Sequence, residues 1–304
     1  MLRSEKRKEN QYMNNLINYL LLALIVVFVT AQNILKKVYN KKCNTGVYLY
    51  SAMISFFALL FFIAVNREWS FRPQMLIPAA FFALAYASAT VFAVVAIKYG
   101  SLAITSLVIS YSLLIPCFYG IFFLGESISW LLIVGVILLA ISLFLTNHEK
   151  SNDLSEKKSF SLKWVIFCVL AFVGNGMCST VQKAAGVNGF SSSDLNMIMI
   201  IALAMVAVVL FVISACTSER KEWKACFKAG TVPALASGIM NGAVNYMVLV
   251  LNTRLAASVM FPIISGGGLV LVFLYSTVID KERFRVSQWI GFGIGLISIV
   301  LLNI

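Results

Sequence analysis

The chain has 304 residues, of which 61% are hydrophobic and 12% charged, with a formal net charge of +12 at pH 7. That balance excludes an ordinary pair of soluble domains and makes the bilayer the expected solvent. Its Lys and Arg sit in short runs between apolar stretches, where they flank membrane spans rather than form a nucleic-acid footprint.

Crossing the roughly 30 Å hydrocarbon core takes about 20 apolar residues, and ten such spans are predicted. The first, 16–35, follows the basic leader MLRSEKRKEN. Val29 and Ala31 imitate a signal-peptidase site, but the apolar run continues toward Lys36. Spans 46–65, 75–97, 101–124 and 129–147 complete a first half, 1–147. A polar, charge-rich linker, 148–162, holds the single histidine, His148. The second half, 163–304, holds spans 163–183, 194–216, 230–252, 256–279 and 286–304. All five tryptophans (Trp69, Trp130, Trp164, Trp223 and Trp289) fall in connections or at span starts. At the membrane interface a tryptophan buries its ring and keeps its N–H wet.

One histidine rules out a multi-histidine metal site and a histidine-based triad. The six cysteines (Cys43, Cys117, Cys168, Cys178, Cys216 and Cys226) show no CxxC spacing, and neither a disulfide framework nor a zinc site follows from them. No cofactor, metal or enzymatic activity is expected.

The chain also repeats itself. A displacement of 156 residues pairs Lys98 with Arg254, Glu126 with Glu282, Gly135 with Gly291, and Ile141-Ser142 with Ile297-Ser298. With five crossings per half, the second half must enter the membrane from the opposite side. The expected fold is therefore an all-α integral membrane protein of ten transmembrane helices, two inverted five-helix repeats around a central cavity, with the substrate site near the midplane.

The segment FFLGESISWLLIVGVILLAISLFL, with its Gly125-Glu126 step before a very apolar helix, resembles the drug/metabolite transporter superfamily in its ten-helix EamA-type branch. The second copy, IDKERFRVSQWIGFGIGLISIVLL, keeps Glu282 but has Lys281 where the motif has Gly. The preceding FPIISGGGLVLVF is similar to the small multidrug resistance branch of the same superfamily. The resemblance implies alternating-access transport, as an exporter rather than an importer. It implies no single substrate, because the superfamily handles amino acids, sugars, phosphorylated compounds and organic cations.

Polar residues recurring at helical spacing mark a wet or helix-facing stripe. Ser237, Asn241 and Asn245 recur at i, i+4, i+8 in the eighth span, with Tyr246 adjoining; Asn175, Ser179 and Lys183 do so in the sixth. The ninth span carries Ser258, Pro262 and Ser265, then Gly266, Gly267 and Gly268, and is expected to bend or unwind, with Pro116 and Gly120 giving the fourth a similar weakness. The candidate substrate-binding residues are Asn175, Ser179, Lys183, Asn241, Asn245, Tyr246, Arg254 and Ser265. The competing reading of such Ser, Asn and Gly residues is close helix packing.

Lys36, Lys37 and Lys98 end the first and third spans, and Lys183 and Arg254 end the sixth and eighth. These two sets are predicted at opposite mouths, where they either attract carboxylate or phosphate or snorkel as anchors. Glu126 and Glu282 are expected to fix turns. No Asp or Glu falls mid-span, and the first span offers only Gln32 and Asn33. The glutamate-based proton exchange that small multidrug resistance proteins use is therefore not expected.

The function expected is a secondary transporter of a small neutral, zwitterionic or anionic metabolite in the cell membrane. The alternatives are a multidrug exporter and, from another class, a non-transporting scaffold or sensor. Expected partners are a small-molecule substrate and the lipid bilayer, without nucleic acid and with a homodimer left open. Orientation stays open too: the distribution of Lys and Arg puts the termini outside, while the basic leader and the resemblance put them inside.

Overall fold

The computed structural model of the protein describes residues 2–43, 45–125, 130–147, 161–252, 254 and 257–301. Glu126, His148 and linker residues 148–160 lie outside the described residues. In chain order the helices are α1 (Leu2–Lys42), α2 (Val47–Val65), α3 (Leu76–Tyr99), α4 (Leu102–Ser110), α5 (Leu114–Leu124), α6 (Trp130–Asn147), α7 (Leu162–Val187), α8 (Ser192–Cys216), α9 (Trp223–Asn252), α10 (Ala257–Val278) and α11 (Val286–Leu301). Among the described residues there is no strand.

Six helical runs are long and apolar enough to cross a membrane: Leu16–Lys42, Val47–Val65, Pro73–Tyr99, Leu102–Leu124, Leu162–Val187 and Ser193–Cys216. Their outer faces are greasy. Leu84, Phe122 and Phe123 are each more than 70% exposed, a surface that suits hydrocarbon and not water. The protein is an all-α, membrane-embedded chain.

Of the two spans expected to be weak, the fourth is broken and the ninth is not. The fourth span is interrupted by a 3₁₀ turn at Tyr111–Leu113, between α4 and α5. Pro116 has no N–H to donate to the carbonyl of Ser112 four residues earlier, so the regular ladder cannot run through this point. The ninth span was expected to unwind, yet α10 is continuous through Gly266–Gly268. Its glycines serve close packing instead. A Cβ on Gly267 would lie 3.1 Å from Val26, and the Thr30 hydroxyl donates to the Gly268 carbonyl at 3.4 Å.

The helix pairs packed between the first and second halves of the chain form a set that exchange of the two halves leaves unchanged. α3 packs on α7 as α1 packs on α9, and α2 packs on α9 as α3 packs on α8. α1 packs on α10 as α7 packs on α4 and α5, while α2–α8, α4–α10 and α6–α11 pair across the halves. At α6–α11 the Ser142 hydroxyl donates to the Gly291 carbonyl, and the Ser298 hydroxyl donates to the Gly135 carbonyl, both at 2.7 Å. The 156-residue displacement exchanges these two bonds. The helices run antiparallel, because the end of α6 meets the start of α11, where Gln288 donates to the Thr146 carbonyl at 3.3 Å.

The turn closing α10 explains the missing glycine of the second motif copy. Gly125 has φ 68° and Lys281, its partner under the displacement, has φ 54°. Both backbones are left-handed although the residue types differ. The turn is held by the Asp280 N–H on the Tyr275 carbonyl at 3.2 Å and the Glu282 N–H on the Ser276 carbonyl at 2.9 Å. A side chain in this region costs about 1–2 kcal/mol, so Lys281→Gly should stabilise the protein by roughly 1 kcal/mol after the added unfolded-state entropy is subtracted. Thermal unfolding in detergent, with a raised midpoint, checks this.

Trp164 also departs from its expected role. It is 4% exposed, its indole N–H donates to the Thr105 hydroxyl at 3.0 Å, and it lies against Gly100, where a Cβ would fall 2.2 Å from the ring nitrogen. It anchors α7 to the α3–α4 corner rather than to headgroups.

Candidate functional site

The polar stripe of α9 meets polar residues from two helices of the first half. The Tyr86 hydroxyl on α3 donates to Asn241 Oδ1 at 2.9 Å, and Asn241 Nδ2 donates to Gln32 Oε1 on α1 at 3.2 Å. Asn245 Nδ2 donates to the Asn241 carbonyl at 2.9 Å and to Asn241 Oδ1 at 3.2 Å. Gln32 and Tyr86 are each 7% exposed, so this network is withdrawn from lipid. Tyr246 continues the stripe, edge-on to Phe61 on α2 with ring centroids 6.5 Å apart.

The first helix contributes a stripe that sequence reasoning passed over. Gln32, Lys36 and Asn40 recur at i, i+4, i+8, the same spacing that marked α7 and α9. Lys36 Nζ donates to Asn33 Oδ1 at 3.3 Å, and Asn40 Nδ2 donates to the Val94 carbonyl of α3 at 2.8 Å. An ammonium therefore stands one helical turn from the amide network.

Asn175 sits elsewhere. Its Nδ2 donates to the Ser112 hydroxyl at 2.7 Å, in the break between α4 and α5. Gly176 lets α7 enter that break, since a Cβ there would lie 2.6 Å from the Ser112 carbonyl. Ser179 and Lys183 are partly buried further along α7, and Ser265 is partly buried on α10. Arg254 is exposed just after α9, its N–H donating to the Leu251 carbonyl at 2.9 Å. Ser237 is buried. The side chains of Ser258 and Pro262 lie outside what is described.

The divergence between halves is informative. The displacement places Ala85 and Ala89 of α3 opposite Asn241 and Asn245. In the first-half position, Ala85 and Ala89 receive Gly174 of α7 so closely that a Cβ would lie 2.5 Å from the Ala89 nitrogen and 2.8 Å from the Ala85 carbonyl. The first position is a close, small-residue seam; the second carries amides.

The mouth residues are more committed than expected. Lys37 Nζ lies 2.7 Å from Asp280 Oδ2 and 2.6 Å from Glu282 Oε1, and Lys41 Nζ lies 2.8 Å from Asp280 Oδ1. The Ser101 hydroxyl donates to Glu282 Oε2 at 2.7 Å. Lys37 thus joins the end of α1 to the turn after α10, and Glu282 links that turn to the start of α4. Burial pushes the Asp280 carboxyl up, but Lys37 and Lys41 outweigh it and hold it below the usual carboxylate range. The stabilisation is present at neutral pH and is lost as pH falls through that lowered value. Just before α3, Arg72 pairs with Asp194, which also caps α8 through the Ser191 N–H at 2.9 Å. Within the six apolar runs Asp194 is the one carboxylate among the described residues, and it lies in the first turn of α8.

Fold and site together define an all-α, membrane-embedded protein in which α1, α3 and α9 meet through a polar network of amides and a phenol. No protein-family model matches the chain, and no curated protein matches it. The chain is similar to a solved structure titled "Crystal structure of protein", at 13% identity, over 93% of this chain and 95% of that one, with a TM-score of 0.57. That similarity shows the fold alone.

Proposed function

We propose that the protein is a secondary transporter of the drug/metabolite type, working in the cell membrane by alternating access on a small neutral, zwitterionic or anionic metabolite. The observation that carries this reading is the Gln32–Tyr86–Asn241–Asn245 network, in which buried Gln32 and Tyr86 bond partly buried Asn241, and Asn245 joins them, within apolar helices. Buried polar groups inside a membrane are costly and mark substrate paths by default.

Counting α4 and α5 as one interrupted crossing gives ten crossings, five per half. The antiparallel α6–α11 pair supports inversion: two helices exchanged by a two-fold yet running oppositely require an axis perpendicular to them, in the membrane plane. The halves then rock about this seam while α1, α3 and α9 hold the substrate between them. Lys36, a turn from Gln32, offers a positive charge to a carboxylate or phosphate, which favours zwitterions and anions over organic cations.

The test is counterflow in proteoliposomes preloaded with separate pools of amino acids, sugars, organic acids and sugar phosphates. Saturable exchange is expected for one pool. Absence of exchange with every pool, or robust quaternary-ammonium transport driven by a pH gradient, would overturn this reading.

A further inference from the structure

Cys43 and Cys226 are separated by 183 positions in the sequence, and their sulfurs lie 2.8 Å apart, both buried, at 7% and 0% exposure. They join different halves: Cys43 follows α1, and Cys226 lies in the first turn of α9. The corner around them is tightly built. The Tyr39 hydroxyl is within hydrogen-bond distance of the Thr45 carbonyl at 2.8 Å and the Gly46 carbonyl at 2.9 Å, and the Tyr39 ring stacks on Tyr50 at 3.9 Å. Gly46, at φ 77°, leaves room for the second sulfur, since a Cβ there would lie 2.5 Å from Cys226 Sγ. Glu219 accepts from the Tyr48 and Leu49 N–H groups, each at 3.2 Å, pinning the start of α2 to the segment before α9.

We propose that Cys43 and Cys226 are an oxidation site, a dithiol that closes to a disulfide joining the two halves in the presence of a peroxide or a small-molecule disulfide. Closure needs less than about 1 Å of sulfur travel to reach the roughly 2.05 Å of an S–S bond. Cys43 is the attacking sulfur. Burial would raise its thiol, but hydrogen bonds from Cys226 and Tyr39 outweigh that and lower it, whereas burial pushes Cys226 up to about 11. With peroxide, the Cys43 thiolate attacks one oxygen, the O–O bond breaks, and hydroxide leaves and takes up a proton as water, giving a sulfenic acid. Cys226 sulfur then displaces the sulfenic hydroxyl, which leaves as a second water. The two thiols are oxidised by two electrons and the peroxide is reduced by two. With a small disulfide, the Cys43 thiolate breaks its S–S bond, forming the mixed disulfide and expelling one small thiolate, which takes up a proton; Cys226 sulfur then displaces the second as a thiol.

The site stands apart from the transport reading, and its readout is thiol chemistry. The purified full chain, reduced and then treated with hydrogen peroxide or oxidised glutathione, is denatured, alkylated with a maleimide and mapped by peptide mass spectrometry. A loss of two alkylatable thiols is expected, with a linked Cys43–Cys226 peptide roughly 2 Da below the sum of the two thiol peptides. The link should revert with dithiothreitol and be absent in Cys43→Ser and in Cys226→Ser. Cys168 and Cys178, on α7, should alkylate as before. Retention of all thiols, a link between other cysteines, or a glutathione adduct on Cys43 that does not resolve onto Cys226 would each overturn the proposal.

Discussion

Gly174→Val should unfold the α3–α7 seam and lower the thermal midpoint of the detergent-purified protein more than other single glycine substitutions at open positions. A Cβ at Gly174 meets the Ala89 nitrogen at 2.5 Å and the Ala85 carbonyl at 2.8 Å, backbone atoms that no rotamer change can move aside. Overpacking of this kind costs about 1–3 kcal/mol for an added methyl or methylene. That exceeds the roughly 1 kcal/mol that leaving glycine gains in helix propensity. Gly174→Ala should therefore still destabilise, and the larger, β-branched valine more so. Gly186→Ala, on the same helix with nothing within 4 Å, is the control and should leave the midpoint unchanged or slightly raised. Equal behaviour of Gly174→Ala and Gly186→Ala would mean that α3 and α7 do not touch as described.

Asn241→Leu should reduce transport efficiency by about 10- to 100-fold, corresponding to the 1–3 kcal/mol of one buried polar group left without its partner. Leucine keeps asparagine's γ-branched shape and its number of side-chain heavy atoms, while Gln32 loses a donor and Tyr86 loses its acceptor. A purely structural network would show the same loss, and the combined variant Q32M/Y86F/N241L separates the two roles. With Gln32, Tyr86 and Asn241 all made apolar, Asn245 keeps its bond to the backbone carbonyl of residue 241 and thermal stability should return. Transport should not return, because the groups that would meet substrate are gone. Recovery of both together would reduce the network to glue between α1, α3 and α9. Asn245→Ala offers a milder companion, since its Nδ2 bonds Asn241 alone, at the carbonyl and at Oδ1, and it should lose only a few-fold.

Much of the architecture was legible beforehand because a bilayer forces it. Each crossing needs its own apolar run bounded by charge, and each predicted span has a helix at its place. One residue correspondence was legible too: Gly135, Gly291, Ser142 and Ser298 stand at one displacement, and they pair as Ser142 with Gly291 and Ser298 with Gly135. Local chemistry alone was less secure. Three consecutive glycines in α10 suggested unwinding, but backbone freedom matters little once Val26 and Thr30 pack against them. Lys281 suggested a lost motif, yet its turn keeps the left-handed backbone of Gly125, because the N–H groups of Asp280 and Glu282 hold it on α10.

Tertiary structure alone decided which polar residues share a site. Helical spacing puts residues on one face of one helix and says nothing about the partner that face meets, so Asn175 and Asn241 read alike although one bonds Ser112 and the other Gln32. The same holds for Lys37, whose charge is taken up by Asp280 and Glu282, and for Cys43 and Cys226, 183 positions apart in sequence and 2.8 Å apart in space. The sequence by itself determined the apolar solvent and the helices, because these follow from hydropathy and local period. The pairing of side chains across the halves depends on how ridges and glycines let the helices approach, a property of two surfaces at once that no single stretch of chain contains.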